Sequence, residues 1–358
     1  VAVDTTVPES PRTATGPASL AGWLGAVRGH LTAELIGDQA LDRIEGLTRR
    51  LPLEALAALE IRLRGSAGVD LSVRLLSPES CRQAASGLRR PALHDLAITW
   101  ESDPRWERTV SALWLELDLP QTPADGPAEP APIVCARVER SPDVVDPAWI
   151  TGQLLPTLGG RRLTPLQEKS ALRILHELPP TAWLLYAFDL SPRGNREIRL
   201  ELFGPARSDL VPFVHDVTGG QGARQAEQAL AVLGDLDRLH LSLDIGPAGE
   251  VSPRIGIDGS YQKAPSREPR WRMLFERLVD AGLCAPAARD AVLHWPGYDS
   301  FWTAPEGWPL PGGGIGGYCV RALSHVKLVT RPDTEPEAKA YLLFGHVGPE
   351  GPAHGSLP

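Results

Sequence analysis

The sequence predicts an α+β protein in which antiparallel β-hairpins alternate with helices. Three observations predict it. Three segments share one design, Leu115-Glu-Leu-Asp-Leu-Pro120, Ala187-Phe-Asp-Leu-Ser-Pro192 and Ser242-Leu-Asp-Ile-Gly-Pro247, and each precedes a second β-like run bearing an arginine, Arg137, Arg199 or Arg254. Several runs alternate apolar and polar residues, the mark of a strand buried on one face. Between the hairpins lie runs with apolar residues three and four apart and clear end signals.

In chain order, residues 1–17 read as a flexible arm rich in Pro, Thr and Ala. Leu20, Trp23, Leu24, Val27, Leu31 and Leu35 predict a helix from Ser19 to about Arg50, and a second helix is expected from Leu53 to Leu63 after Pro52. Residues 18–65 are therefore expected to be a helical lead-in, 66–348 the main hairpin-repeat domain, and 349–358 a flexible tail. Val69 to Leu76 alternates as a strand, and His94 to Trp100 is expected to be another. The Pro/Ala/Asp/Gly stretch between Pro120 and Pro132 reads as the long tip of a hairpin. Thr164-Pro-Leu-Gln167 opens a helix that runs to about Leu178, with a Thr cap, Pro at the first position and Gln at the third. Further helices are expected over Ala223–Leu239 and Arg270–Ala281, the latter ending at Gly282. The final hairpin has arms Val320–Val329 and Ala338–Phe344.

On Leu239 to Ile245 the leucines and Ile245 share one face, and His240, Ser242 and Asp244 the other. The polar faces look either to water or into the lumen of a closed barrel. Aspartate followed by proline also suits a plain turn, so the repeated Asp-Pro endings speak first for hairpins.

The chain has 358 residues, 42% of them hydrophobic and 22% charged, enough for a sizeable core. The formal net charge is -8, and no Lys/Arg run resembles a footprint on nucleic acid or on an anionic membrane. No stretch is long and apolar enough for a membrane span, and the first residues lack the apolar core of a secretory signal, so a cytoplasmic location is the expectation. Cys81, Cys135, Cys284 and Cys319 are far apart in sequence and read as buried thiols. No H-E-x-x-H, G-x-S-x-G or Walker A motif occurs. Gly312-Gly-Gly-Ile-Gly-Gly317 satisfies G-x-G-x-x-G but lacks the strand before it and the helix after it. No metal site and no cofactor are expected.

The residues that bear chemistry sit on the hairpins. Arg199, Arg254, Lys327 and Lys339 lie on separate strands, and Tyr341 shares a face with Lys339. If the sheet closes, they converge on an anion such as a diphosphate; if it is open, they form a solvated face. His325 shares a face with Lys327 and is a candidate acid/base. The stretch from His294 to Trp302 is dense in aromatics, and Trp295 and Trp302 either line an apolar pocket or pin a loop to the core.

Repeated hairpin-plus-helix units over about 300 residues resemble the PT barrel of ABBA-type aromatic prenyltransferases. Leu243 to Ile257 resembles the D-x-x-P…R-x-K-x-Y hairpins of the indole prenyltransferases, and Ser324-His-Val-Lys327 through Lys339-Ala-Tyr-Leu342 resembles their final hairpin. After Arg254, however, the chain reads Ile-Gly-Ile-Asp258, without the second basic residue and the tyrosine. The resemblance implies a closed barrel with outer helices and a prenyl diphosphate held by Arg199, Arg254, Lys327, Lys339 and Tyr341. It also implies Trp295 and Trp302 shielding an allylic cation, Asp244 or Glu201 accepting a proton, and no Asp-rich metal motif. The segments Trp271 to Gly297 and Ser324 to Tyr341 also look like proteins of lanthipeptide-type peptide natural-product gene clusters.

Two functions follow as expectations. One is natural-product biosynthesis by transfer of a prenyl group from a diphosphate to an aromatic or peptide acceptor. The other is a peptide-binding or peptide-modifying component of a ribosomal-peptide maturation complex, with a precursor peptide and biosynthetic enzymes as partners. A lumen filled by side chains is the third outcome, and it would carry neither.

Overall fold

The structure is a computed structural model that describes residues 19–52, 56–65, 68–119, 131–139, 146–301, 317–332 and 334–347. The expected arm, the tail and most of the loop after Leu119 lie outside the described residues. Among the described residues eleven strands form one antiparallel sheet: β1 Leu56–Arg62, β2 Val69–Leu75, β3 Val110–Leu117, β4 Ile133–Val138, β5 Trp183–Asp189, β6 Ile198–Phe203, β7 Arg238–Ile245, β8 Val251–Ser260, β9 Gly297–Phe301, β10 Gly317–Thr330 and β11 Glu337–Val347. Each strand from β1 to β8 pairs with the next; β8 pairs with β10, β10 with β11, and β11 with β1. Ten strands therefore close into a barrel, and β9 lies outside the ring along the first half of β10. The fold is α+β with helices around a closed barrel, as the hairpin repeat implied.

Period-two alternation sorts the side chains. The outward residues are apolar and buried: Leu59 and Ile61 on β1, Leu71 and Val73 on β2, Leu113 and Leu115 on β3, Leu241 and Leu243 on β7, Ile255 and Ile257 on β8. Helices cover this face. Ala21–Val27 packs on β10 and β11, Pro165–His176 on β7, and Ala223–Leu233 on β8 and β10. No helix among the described residues is long and apolar enough to cross a membrane.

The three repeated segments form the hairpins β3–β4, β5–β6 and β7–β8. Four expectations change. The predicted helix at Leu53–Leu63 is strand β1, so the lead-in supplies a stave of the barrel; Ala57 and Ala58 favour a helix, but pairing with β11 and β2 on both sides overrides that preference. The predicted strand at His94–Trp100 belongs to the helix Pro91–Ser102, which buries Leu93, Leu96, Ala97 and Trp100 at helical spacing. The predicted helix from Ser19 is two helices, Ala21–Val27 and Asp38–Thr48, the second entered through extended backbone at Gly37. The helix from Ala223 stops at Leu233, because Gly234 takes φ 70 and the chain turns into β7.

The capping motif of Thr164 anchors the barrel's cladding. The Thr164 hydroxyl accepts from the Gln167 amide at 3.1 Å. Gln167 is fully buried, and its side-chain amide donates to the carbonyls of Arg196 at 3.0 Å and Ile245 at 3.2 Å. One side chain thus closes a helix start and ties it to two hairpins. Gln167→Ala removes both hydrogen bonds of a fully buried side chain, the Arg196 carbonyl keeping its bond from Arg161, so urea unfolding should show a loss of about 1–3 kcal/mol, against about 1 kcal/mol for Thr164→Ala. Equal stability of Gln167→Ala and the native chain would contradict this role.

Candidate functional site

The inward faces of the strands surround a cavity of about 330 Å³. Arg199, Arg254, Lys327, Lys339, Tyr341, Glu201 and His325, all singled out from sequence, line it. Asp244 stands behind Arg199 and Arg254. Trp295 does not line it: the ring is 1% exposed in the outer core and donates from Nε1 to the Leu343 carbonyl, so it serves packing. Trp302 lies outside the described residues, as does nearly all of Gly312–Gly317. Part of the expected aromatic loop, Gly297–Phe301, is strand β9. All four cysteines are free and buried, with Cys135 in the lumen wall.

At one end of the lumen, two guanidiniums share one carboxylate. Arg199 donates to Asp244 from Nε at 2.6 Å and Nη2 at 3.1 Å, and Arg254 Nη1 donates to Asp244 Oδ2 at 2.9 Å. Burial alone would raise the proton affinity of Asp244, but the two guanidiniums outweigh it and hold the carboxyl at about 2. Asp244 is therefore an anchor for arginines and a poor proton acceptor.

On β1 and β11, Lys339 donates to Glu60 Oε1 at 2.5 Å and the Tyr341 hydroxyl donates to Glu60 Oε2. Burial opposes the charge on Glu60; the Lys339 ammonium and these hydrogen bonds overcome it and keep the carboxyl well below the usual range. Arg62 stands directly across from Lys339 in the β1–β11 pairing, and Glu337 bridges them, 3.1 Å from Arg62 Nε and 3.5 Å from Lys339 Nζ.

The middle of the lumen holds Lys327, whose ammonium donates to Ser242 Oγ at 2.8 Å and to Glu201 Oε2 at 3.4 Å. Ser242 also donates to Glu201 Oε2, at 3.2 Å. Burial works against ionisation of Glu201, but Lys327 and the contact with His240 prevail and lower its proton affinity. Glu201 is thus ion-paired too. Asp258 differs: it is 1% exposed, neither carboxylate oxygen has a hydrogen-bond partner among the described residues, and burial raises its proton affinity. The His325 imidazole is pushed down to about 3, by burial and then by His240, and is neutral.

A register shift in β10 between Leu323 and Val326 turns both Ser324 and His325 inward. His325 then stacks on Tyr341, ring centres 4.0 Å apart. The aromatic surface continues along the wall: His325 to His240 at 6.1 Å, His240 to Phe203 at 4.7 Å, Phe203 to Trp183 at 4.4 Å. A shift in β5 between Leu184 and Tyr186 brings Trp183 and Tyr186 to the same side. An apolar patch of Ile133, Cys135, Phe188 and Leu190, with Trp114 and Tyr186 against it, completes the wall.

The residues that sequence analysis missed are Glu60, Glu116, His240 as a site group, and Asp258. Glu60 was hidden by the expected helix; the alternation Ala58, Glu60, Arg62 was the available signal. His240 and Asp258 lie on the same polar faces as Asp244 and Arg254, at period two.

No family model matches the chain, and no curated protein matches it. Among solved structures, the chain is similar to AnaPT from Neosartorya fischeri, with TM-score 0.47 and 10% identity over 80% of this chain and 77% of that one. No match bears on the resemblance to proteins of lanthipeptide-type clusters.

Glu116 lines the cavity, and burial raises its proton affinity to about 7 against the pull of Arg193. The folded chain thus binds this proton more tightly than the unfolded chain, whose glutamate titrates near its ordinary value. Stability from this group is full below that value and falls as pH rises through 7. Glu116→Gln removes the fall. Its stability relative to the native chain should rise by the order of 2 kcal/mol between pH 4.5 and pH 7.5. Urea unfolding at both pH values measures this, and parallel profiles would contradict it.

Proposed function

We propose that the chain is a prenyltransferase-like enzyme that takes a prenyl diphosphate into the barrel lumen and transfers the prenyl group to an aromatic or peptide acceptor. One observation carries this reading: cationic side chains from separate strands, with Tyr341, face a single enclosed lumen walled by aromatic rings. Among the described residues seven Arg and Lys side chains line it, and Asp244 and Asp118, outside the lining, hold three of them, Arg199, Arg254 and Arg193. Arg137 and Arg238 are among the seven, and neither makes an ion pair with a described residue.

The chemistry is a substitution at the allylic carbon. The carbon–oxygen bond to diphosphate breaks, a bond from the acceptor forms, and the acceptor releases one proton. Arg199, Arg254, Lys327, Lys339 and the Tyr341 hydroxyl can neutralise the leaving diphosphate. The rings of Trp183, Phe203 and Tyr341 can face the allylic cation and exclude water. Of the lumen carboxylates, Glu116, at about 7, has the proton affinity suited to take the released proton near neutrality.

Capture of an extended peptide by strand addition is less well supported. It needs a free strand edge, and closure removes edges from the ring. Among the described strands only β9 keeps one.

Isothermal titration with dimethylallyl and geranyl diphosphate, with and without Mg²⁺, tests the donor half of the proposal. Micromolar binding is expected, weakened about tenfold or more by Arg254→Ala and by Lys339→Ala, each loss being a charge-assisted contact. A folded sample that binds neither diphosphate would sink the prenyl-donor reading.

A further inference from the structure

Where β6, β7, β8 and β10 run side by side, one cluster has a composition that anion binding does not need. Glu201, His240 and Asp258 bring two carboxylates and an imidazole together, with one donor atom of each within 4.8 Å of the others. His240 Nδ1 is 3.4 Å from Glu201 Oε1 and 3.8 Å from Asp258 Oδ2. A second imidazole nitrogen, His325 Nε2, is 3.5 Å from Asp258 Oδ2.

Asp258 is the decisive member. It is 1% exposed, and no hydrogen bond from a described residue reaches either carboxylate oxygen, yet the group points into this cluster. Buried polar atoms are rarely left so. The other members divide their atoms cleanly. Glu201 gives Oε2 to Ser242 and Lys327 and leaves Oε1 beside His240. Lys327 is drawn to the far side by its 2.8 Å bond to Ser242 and stays 3.9 Å from Asp258 Oδ2. Two carboxylates thus stand against a single ammonium in this stretch of the lumen wall. A second cation would complete both the charge and the coordination of Asp258.

We propose that Glu201 Oε1, His240 Nδ1 and Asp258 Oδ2 form a three-residue binding site for a divalent first-row transition metal such as Zn²⁺ or Co²⁺, the fourth position being left to water or a ligand. Tetrahedral donors at ordinary zinc bond lengths stand about 3.3 Å apart; His240 Nδ1 stands 3.4 and 3.8 Å from the two carboxylates, and with all three donors inside 4.8 Å, side-chain rotation on binding draws the carboxylates together. The imidazole donor selects against Mg²⁺ and Ca²⁺, which take oxygen ligands. The site stands on these atoms alone and does not depend on the prenyl-donor reading.

The full chain, stripped with a chelator and freed of it by gel filtration, is titrated with Zn²⁺ by calorimetry and with Co²⁺ by visible absorption. One equivalent of Zn²⁺ should bind, and Co²⁺ should give the intense ligand-field bands of a tetrahedral site. Asp258→Asn and His240→Gln should each weaken Zn²⁺ binding about 100-fold or more, with circular dichroism confirming the fold. If Asp258→Asn does not fold, His240→Gln carries the comparison. A folded native chain that binds no stoichiometric metal, or variants that bind as tightly as it does, would overturn the proposal.

Discussion

The pairing of β1 with β11 is the constraint on which the rest depends, because it turns a sheet into a closed barrel. Alternation gives every stave one apolar and one polar face. Outer helices bury the apolar face. In an open sheet the polar face would meet water, but closure removes it from bulk solvent, so the charges there need partners inside the wall. The observed pairs answer that need: Arg199 and Arg254 with Asp244, Lys339 with Glu60, Lys327 with Glu201. Such pairs add little net stability compared with an apolar wall. Their consequence is position: each long cationic side chain is held in one place before any ligand arrives.

The lumen carboxylates divide into two kinds, and the division shapes what the cavity can accept. Asp244, held at about 2 by two guanidiniums, keeps its charge across the working pH range. Glu116, at about 7, changes charge near neutrality. An anion entering the lumen competes with Asp244 for arginines, but it also favours protonation of Glu116 and so lessens the negative charge it meets. The wall can therefore adapt to a charged ligand without losing the ion pairs that hold its arginines.

Much of this was readable in the sequence, for local reasons. The hairpins announced themselves through alternation and Asp-Pro endings, and the helix after Thr164 through its cap. The inward cations were readable because period two fixes which residues share a face. What was not readable depended on partners distant in the chain. β1 is rich in alanine and leucine and resembles a helix until β11, some 280 positions away, pairs with it; with β1 went Glu60. His94–Trp100 alternates over a short run, and only the burial of Leu93, Leu96, Ala97 and Trp100 together shows the helical period. Trp295 looked like a pocket residue because aromatics near Gly and Pro mark both pockets and pinned loops, and its indole bond to Leu343 decides for the second.

The hairpin β7–β8 shows why its unusual residues belong together. On the inward face β8 carries Arg254, Gly256 and Asp258, and β7 carries Asp244, Ser242, His240 and Arg238. The register sets Ser242 opposite Gly256 and His240 opposite Asp258, with Arg254 bonding Asp244 beyond them. A Cβ on Gly256 would lie 3.0 Å from Lys327 Cε and 3.2 Å from Ser242 Cβ, so the glycine is the gap through which Lys327 reaches Ser242. The apolar outer faces can specify this register only to within an even number of residues, because a slip by two keeps every leucine outside. The inner face removes that ambiguity. A slip by two would set Asp258 against Ser242 or Arg238 instead of His240, take Arg254 from Asp244, and close the gap that Lys327 fills. The charged wall thus determines the pairing that apolar packing leaves open, and the same residues that specify the register compose the site.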